Sequence, residues 1–414
     1  MIKKDAQFYR FSLYGFLKNL RFFEPFIILI FRDNGLTFLQ VGLLYSIRDV
    51  TNYLTEIPTG FFADAFGRRK SMVLAFGAYI LSFFIFYVFS DFYLMAAAMV
   101  LFGLGESFRS GTHKALILEH LRINDTLDQK IAYYGRTRAA SQIGSAFNSL
   151  IAAGLLFFTG EYRMMFIATT IPYVIDLINL ATYPKILDGA LSKFERGALK
   201  VQVRDTFKTF LGIFKNREAM RSILNSASFS ALFKTTKDYL QPILESLALA
   251  STFLLGMDDV NRSGIVVGVV YFFIYLLTSY ASRSSEWIGQ KYKNLAHAIN
   301  QTFLVGAGLL LIAGLANWQN LAVISVIVFL GFYLLQNIRK PMNVSNISDR
   351  ISHTVMASGL SVEAQMTTIL GAVFAPIMGF LADSFGVGVA LIGLSLTALV
   401  SYVFVSVRNI PQEV

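Results

Sequence analysis

Charged side chains recur inside stretches that are otherwise apolar, and their spacing is regular. Lys18, Arg21 and Glu24 step by three along one helical face. Arg48, Asp49, Asn52 and Glu56 share another, and Glu106, Arg109, His113 and Lys114 a third. Arg136, Arg138 and Gln142 lead into Ser145, Asn148 and Ser149; Lys234, Lys237, Asp238 and Gln241 follow, then Gln336, Arg339 and Lys340. A charge at a bilayer centre costs about 2.5–3.5 kcal/mol on insertion scales, so each asks for a partner or a wet cavity. The named cations outnumber the named acids, and a basic excess in a low-dielectric cavity attracts an anion. The expected anion-binding set is Arg21, Arg109, Lys234 and Lys237, with Arg48, Tyr239 and Gln241 beside them. Glu24, Asp49, Glu56 and Glu106 are the expected proton- or ion-coupling carboxyls, joined by His113, whose side-chain type titrates near neutrality. The structural alternative is locking pairs between helices: Arg21 with Glu24, Arg48 with Asp49 or Glu56, Glu106 with Arg109. Arg136, Arg138, Arg339 and Lys340 would then snorkel to lipid phosphate.

The elements that carry these charges follow from composition. Hydrophobic residues make up 55% of the 414 and charged residues 15%, with a mean hydropathy of +0.56. That balance fits an all-α polytopic membrane protein, because apolar runs of this length suit spanning helices and not barrel strands. The net charge of +10 is expected on cytoplasmic loops, and no nucleic acid is expected as a partner. The absence of cysteine excludes disulfides and thiolate metal sites. The N-terminus, Met1-Ile2-Lys3-Lys4-Asp5, leads into a charged first span without a small-residue cleavage site, and reads as a retained helix. No phosphate-binding loop, metal-ligand cluster or nucleophile–base arrangement occurs, so neither an enzyme nor an ATP-driven pump is expected, and no cofactor.

Twelve stretches are long enough to cross about 30 Å at 1.5 Å per residue: 11–31, 38–62, 71–90, 92–120, 131–158, 163–184, 219–246, 262–282, 295–316, 320–342, 355–381 and 386–408. Lys3, Lys4, Arg10, Lys291, Lys293 and Arg408 fall on one side with the long connector, and Arg32, Arg163 and Arg262 on the other, which predicts cytoplasmic termini. Three domains are expected: a six-helix bundle over 1–184, a linker over 185–218 and a second bundle over 219–414. In the linker, Val203, Phe207, Phe210, Leu211 and Phe214 recur at helical spacing beside cations, as in a helix lying on a membrane surface.

Between the second and third stretches stands Gly60-Phe61-Phe62-Ala63-Asp64-Ala65-Phe66-Gly67-Arg68-Arg69-Lys70. It resembles the signature loop of the major facilitator superfamily, G-x-x-x-D-x-x-G-R-R-K, at every fixed position. Ser282–Lys291 looks like a worn second copy, with Glu286 and Gly289 in place of Asp64 and Gly67. Gly379–Gly386 mimics the loop without its cations, after span 11, and reads as a decoy. Leu20–Pro25 is similar to Lys237–Pro242, as expected of two repeated halves. The resemblance implies a major facilitator fold of twelve helices in two pseudo-symmetric bundles, with spans 1, 4, 7 and 10 lining a central cavity. Those spans carry much of the charge here, whereas 3, 6, 9 and 12 are nearly bare apart from Asp176. It also implies a gating role for Gly60, Asp64, Gly67, Arg68, Arg69 and Lys70. Asp64 would meet the start of span 11, and Arg68 an acid at the inner end of span 4, for which Glu119 stands ready.

What the resemblance implies is a secondary transporter working by alternating access in the bacterial inner membrane, monomeric, embedded in the lipid bilayer. Its partners would be a small anionic substrate and a coupling proton or sodium ion. Two rivals differ in class: an exporter of amphipathic or cationic drug-like compounds coupled to protons, and a sensor that kept the fold without transporting. The family's span-4 arginine is missing, since Met99 stands four places before Gly103. The glycine-proline pair typical of drug antiporters is replaced by Asn148 and Ser149 after Gly144, which argues against that rival.

Overall fold

The computed structural model describes residues 5–189, 216–252, 256–283, 294–350 and 356–408, with positions 191, 201 and 204. The amphipathic linker segment and the second loop copy lie outside the described residues. Among those described, every regular element is helical. In chain order they are α1 (Ala6–Leu17), α2 (Ile27–Asp33), α3 (Phe38–Phe66), α4 (Arg68–Val88), α5 (Phe92–Arg109), α6 (Thr112–Ile123), α7 (Lys130–Thr159) and α8 (Met164–Ala181). The second series is α9 (Arg217–Thr236), α10 (Leu240–Ala250), α11 (Asp259–Arg283), α12 (Leu295–Trp318), α13 (Ala322–Ser348), α14 (Met356–Phe385) and α15 (Val387–Val405).

Nine helical stretches among the described residues are long and apolar enough to cross a membrane. The expected spans 1, 2 and 7 are outside that set, and they are charge-bearing spans. Two of them are broken. Span 1 stops at Leu17 and resumes through a 3-10 turn, Glu24–Phe26, into α2; span 7 breaks at the 3-10 turn Lys237–Tyr239. Pro25 follows Glu24, and proline disfavours the α conformation of the residue before it. Irregular backbone is tolerated at membrane depth only where protein satisfies it, and here it does. The Lys18 carbonyl accepts from the Tyr173 hydroxyl at 3.0 Å, the Arg21 carbonyl from the Asn148 amide at 3.0 Å, and the Phe22 N–H donates to Thr169 at 3.0 Å. At the second break the Tyr333 hydroxyl donates to the Lys237 carbonyl at 2.8 Å. Span 4, expected as one helix, bends at Gly111, whose φ of +70° suits glycine.

The chain packs as two compact units. One comprises Met1–Gly35, Ile47–Val201 and Met257–Tyr275, the other Leu36–Ser46, Gln202–Gly256 and Leu276–Val414. Lipid offers no hydrophobic drive between helices, so small residues and side-chain hydrogen bonds hold them. In the first unit Ser82 donates to the Ala98 carbonyl at 2.8 Å, joining α4 to α5. A Cβ on Gly144 would fall 2.5 Å from the Phe16 carbonyl, the close approach of α7 to α1. In the second unit Ser325 and Ser395 donate to the Ala313 and Ala307 carbonyls, tying α13 and α15 to α12.

Arg339 corrects an expectation. It is fully buried and does not snorkel. Its guanidinium donates to the Ile299 carbonyl at 2.5 Å, the Thr302 hydroxyl at 2.6 Å and the Asn225 amide oxygen at 2.9 Å, and lies 4.2 Å from the Phe229 ring centroid.

Candidate functional site

Arg21 stands in the break of span 1, between α1 and the 3-10 turn that begins at Glu24. Its guanidinium pairs with Glu106 on α5 at 2.7 Å, a partner outside the expected pairings. The other Glu106 oxygen is bonded by Arg109 of its own helix, so one carboxylate serves two guanidinium groups. Aromatic rings hold both cations. Arg21 Nε donates to the Tyr173 hydroxyl at 2.5 Å, and its guanidinium carbon lies 5.3 Å from the Tyr79 and 5.1 Å from the Phe102 ring centroid. Arg109 Nε donates to the Tyr79 hydroxyl at 3.0 Å. The cluster is not sealed: the side chains of Arg21, Glu106 and Arg109 keep 16%, 21% and 24% of their surface exposed.

Next to this cluster a cavity of about 310 Å³ is lined by Tyr14, Lys18, His113, Thr137 and Arg138 among others. The Lys18 ammonium lies 5.5 Å from the Tyr14 ring centroid. His113 stacks on Tyr14, centroids 3.6 Å apart, and its Nε2 is buried without a hydrogen bond among the described residues. Arg48 bonds its neighbour Asp49 at 3.0 Å. Glu56 meets the Ser110 hydroxyl at 3.5 Å.

In the second unit the expected residues gather at the span-7 break. Lys237 pairs with its neighbour Asp238 at 2.7 Å, and the Tyr45 hydroxyl donates to the other Asp238 oxygen at 3.2 Å. Gln241 and Tyr239 are buried, and Lys234 is partly exposed one turn earlier.

At the signature loop the turn depends on Gly67, with φ at +108°. A Cβ there would lie 2.9 Å from the Asp188 carboxyl, which accepts the Arg69 backbone N–H at 2.7 Å and so caps α4. Sequence reasoning had no role for Asp188. Glu119 is bonded by Arg122 at 2.5 and 3.0 Å, and Arg68 shares its neighbourhood at Gly189. Asp64 is exposed, without a hydrogen bond among the described residues, and the approach to span 11 over 351–355 lies outside them. Gly60 has open space and Lys70 is exposed.

The decoy is occupied too. Asp383 accepts the backbone N–H groups of Phe38 and Leu39 at 2.9 and 2.7 Å, capping the start of α3. There Gly379 meets the Phe38 backbone, and Gly42 the Ala375 backbone, so closely that neither has room for a Cβ. Among the residues missed by sequence reasoning, Tyr79 and Tyr173 lie on spans read as nearly bare.

Nine long apolar helices among the described residues, with broken helices whose backbone is satisfied by neighbours and a cation-rich cluster caged by aromatic rings, fit a multi-pass helical membrane protein. The chain belongs to the Major Facilitator Superfamily, whose family model matches residues 13–365. It is therefore of transporter lineage. A relative in Bacillus subtilis (strain 168), the uncharacterized MFS-type transporter YxaM, is 24% identical over 255 residues, a match spanning 60% of either chain. The fold is similar to that of a mutant form of the nucleoside transporter NupG, with a TM-score of 0.77, 13% identity and coverage of 96% of this chain and 99% of that one. It is also similar to the peptide transporter POT in complex with sulfate, at 0.70 and 14%, covering 96% and 94%.

Proposed function

We propose that the protein is a secondary active transporter of a small anion, working by alternating access in the bacterial inner membrane with both termini cytoplasmic. The observation that carries this is the single Glu106 carboxylate shared by Arg21 and Arg109, with Lys18 nearby. Such a cluster keeps surplus positive charge where solvent screens it poorly, and an anion restores the balance. Arg21 and Arg109 bind the anion's oxygens; Lys234 and Lys237, beside Tyr239 and Gln241, are the expected contribution of the second bundle. The bundles over 1–184 and 219–414 rock about the bound anion, joined by the linker over 185–218.

Coupling follows from competition. An anion that takes Arg109 leaves Glu106 with fewer partners, and a proton then replaces the guanidinium on that carboxylate. Anion and proton thus bind together. Glu56, bonded by one hydroxyl, is the second proton carrier. The test is uptake of labelled anions into proteoliposomes under an imposed pH gradient, after thermal-shift selection from anion and cation libraries. Anion uptake that follows the gradient and is lost in Arg21→Gln is expected. Saturable transport of lipophilic cations with no response to any anion overturns the reading.

A further inference from the structure

A second cavity, of about 820 Å³, opens between α6 and α7 in the same unit. Its wall is apolar, from Ala115, Leu118, Leu127 and the Tyr134 ring, and cations edge it: Arg68, Lys114, Lys130 and Arg138. The acid on its lining, Glu119, is already engaged by Arg122. Lys130 and Arg138 meet no acid among the described residues, and the Lys114 ammonium lies 5.8 Å from the Tyr134 ring centroid. Ile117, Tyr134 and Arg138 also line the smaller cavity that holds Lys18 and His113. The two cavities therefore adjoin across these residues, and cations stand on both, Arg138 between them.

We infer that this cavity is a vestibule on the path of the transported anion, and that the substrate is an amphipathic organic anion: one anionic head on an apolar body. The inference rests on the anion-transport reading and narrows it. A bare inorganic anion would gain from the cations but leave the apolar wall without a partner. An apolar body removes that wall from water while its head remains among Lys114, Lys130 and Arg138. The shared lining with the Lys18 cavity favours this assignment over an annular lipid, which needs no second polar cavity behind it.

The test is calorimetric binding of linear carboxylates from butanoate to decanoate to the full chain in zwitterionic nanodiscs, with empty discs subtracted. Affinity should rise about two- to fourfold per added methylene. Leu118→Asn with Leu127→Asn should flatten that rise and leave butanoate unchanged. Lys130→Gln and Arg138→Gln should weaken every member about two- to fivefold each. Arg21→Gln reports on the underlying reading: indifference of all members to it removes the anion site, whatever the slope. Affinity independent of chain length, or a slope unaltered by the leucine changes, overturns the vestibule while Arg21 dependence persists. Loss of decanoate binding, with butanoate unaffected, on adding phosphatidylglycerol to the discs assigns the cavity to lipid and also overturns it.

Discussion

Replacing Glu106 by glutamine leaves the Arg21 and Arg109 guanidinium groups close together with no acid between them. Uncompensated buried charge of that kind costs about 3–5 kcal/mol. Replacing Arg21 by glutamine is milder, because Glu106 keeps its bond to Arg109. What is lost is one charge-assisted bond at 2.7 Å, worth about 1.5–3 kcal/mol, beside the Tyr173 contact. The double change Arg21→Gln with Glu106→Gln removes one cation and the acid together, so it should be more stable than Glu106→Gln alone. Melting temperatures of the purified proteins should therefore rank Glu106→Gln lowest, with the double mutant and Arg21→Gln above it. In proteoliposomes, Arg21→Gln should lower anion affinity about 10- to 150-fold, the same 1.5–3 kcal/mol at 1.4 kcal/mol per decade. The double mutant should recover stability without recovering transport. Recovery of both would show that Arg21 merely neutralises Glu106. A Glu106→Gln protein as stable as the parent would refute the shared-carboxylate reasoning outright.

Arg339→Lys should destabilise the second unit despite keeping the charge, because a lysine cannot reproduce the fork that meets Ile299, Thr302 and Asn225; melting equal to the parent would contradict this. Gly42→Leu and Gly379→Leu should sharply reduce folded yield, since backbone already occupies the Cβ positions, while Gly60→Ala should be tolerated in open space; size-exclusion profiles in detergent decide it. Asp383→Ala should cost about 0.5–2 kcal/mol, the ordinary worth of a cap. It should also raise the alkylation rate of a cysteine placed at Thr37, the chain having no cysteine of its own. An unchanged rate would remove the capping role.

Much of the architecture was legible because apolar length is a strong signal. The expected spans 71–90, 163–184 and 386–408 emerge as Arg68–Val88, Met164–Ala181 and Val387–Val405. The helix breaks were not legible, since a charged turn inside an apolar run has the same composition as a charged helix. Arg21 and Glu24 share a face only if the helix continues, and the break is what hands Arg21 to Glu106, 85 positions away. The cage escaped for another reason: among 39 Phe and 19 Tyr, nothing local distinguishes Tyr79 and Tyr173 from rings that face lipid. Arg339 misled because its distance from a helix end suggested snorkelling, whereas its oxygen acceptors come from α9 and α12. Asp383 was set aside for lacking cations after it, although a cap needs only its carboxylate.

The interrupted first span also bears on how the protein is made. Span 1 is broken into helices of 12 and 7 residues, outside the nine described stretches long and apolar enough to cross a membrane. Lys18, Arg21 and Glu24 each oppose its insertion by about 2.5–3.5 kcal/mol. The groups that quiet its open backbone, Asn148, Thr169 and Tyr173, emerge from the ribosome more than a hundred residues later. Its final seat in the bilayer is therefore expected to depend on α7 and α8, with these helices inserting cooperatively instead of one by one. Nascent chains stalled before α7 should leave a glycosylation tag on α2 only partly translocated, and chains extended past α8 fully so. Equal translocation at both lengths would show that span 1 enters the membrane unaided.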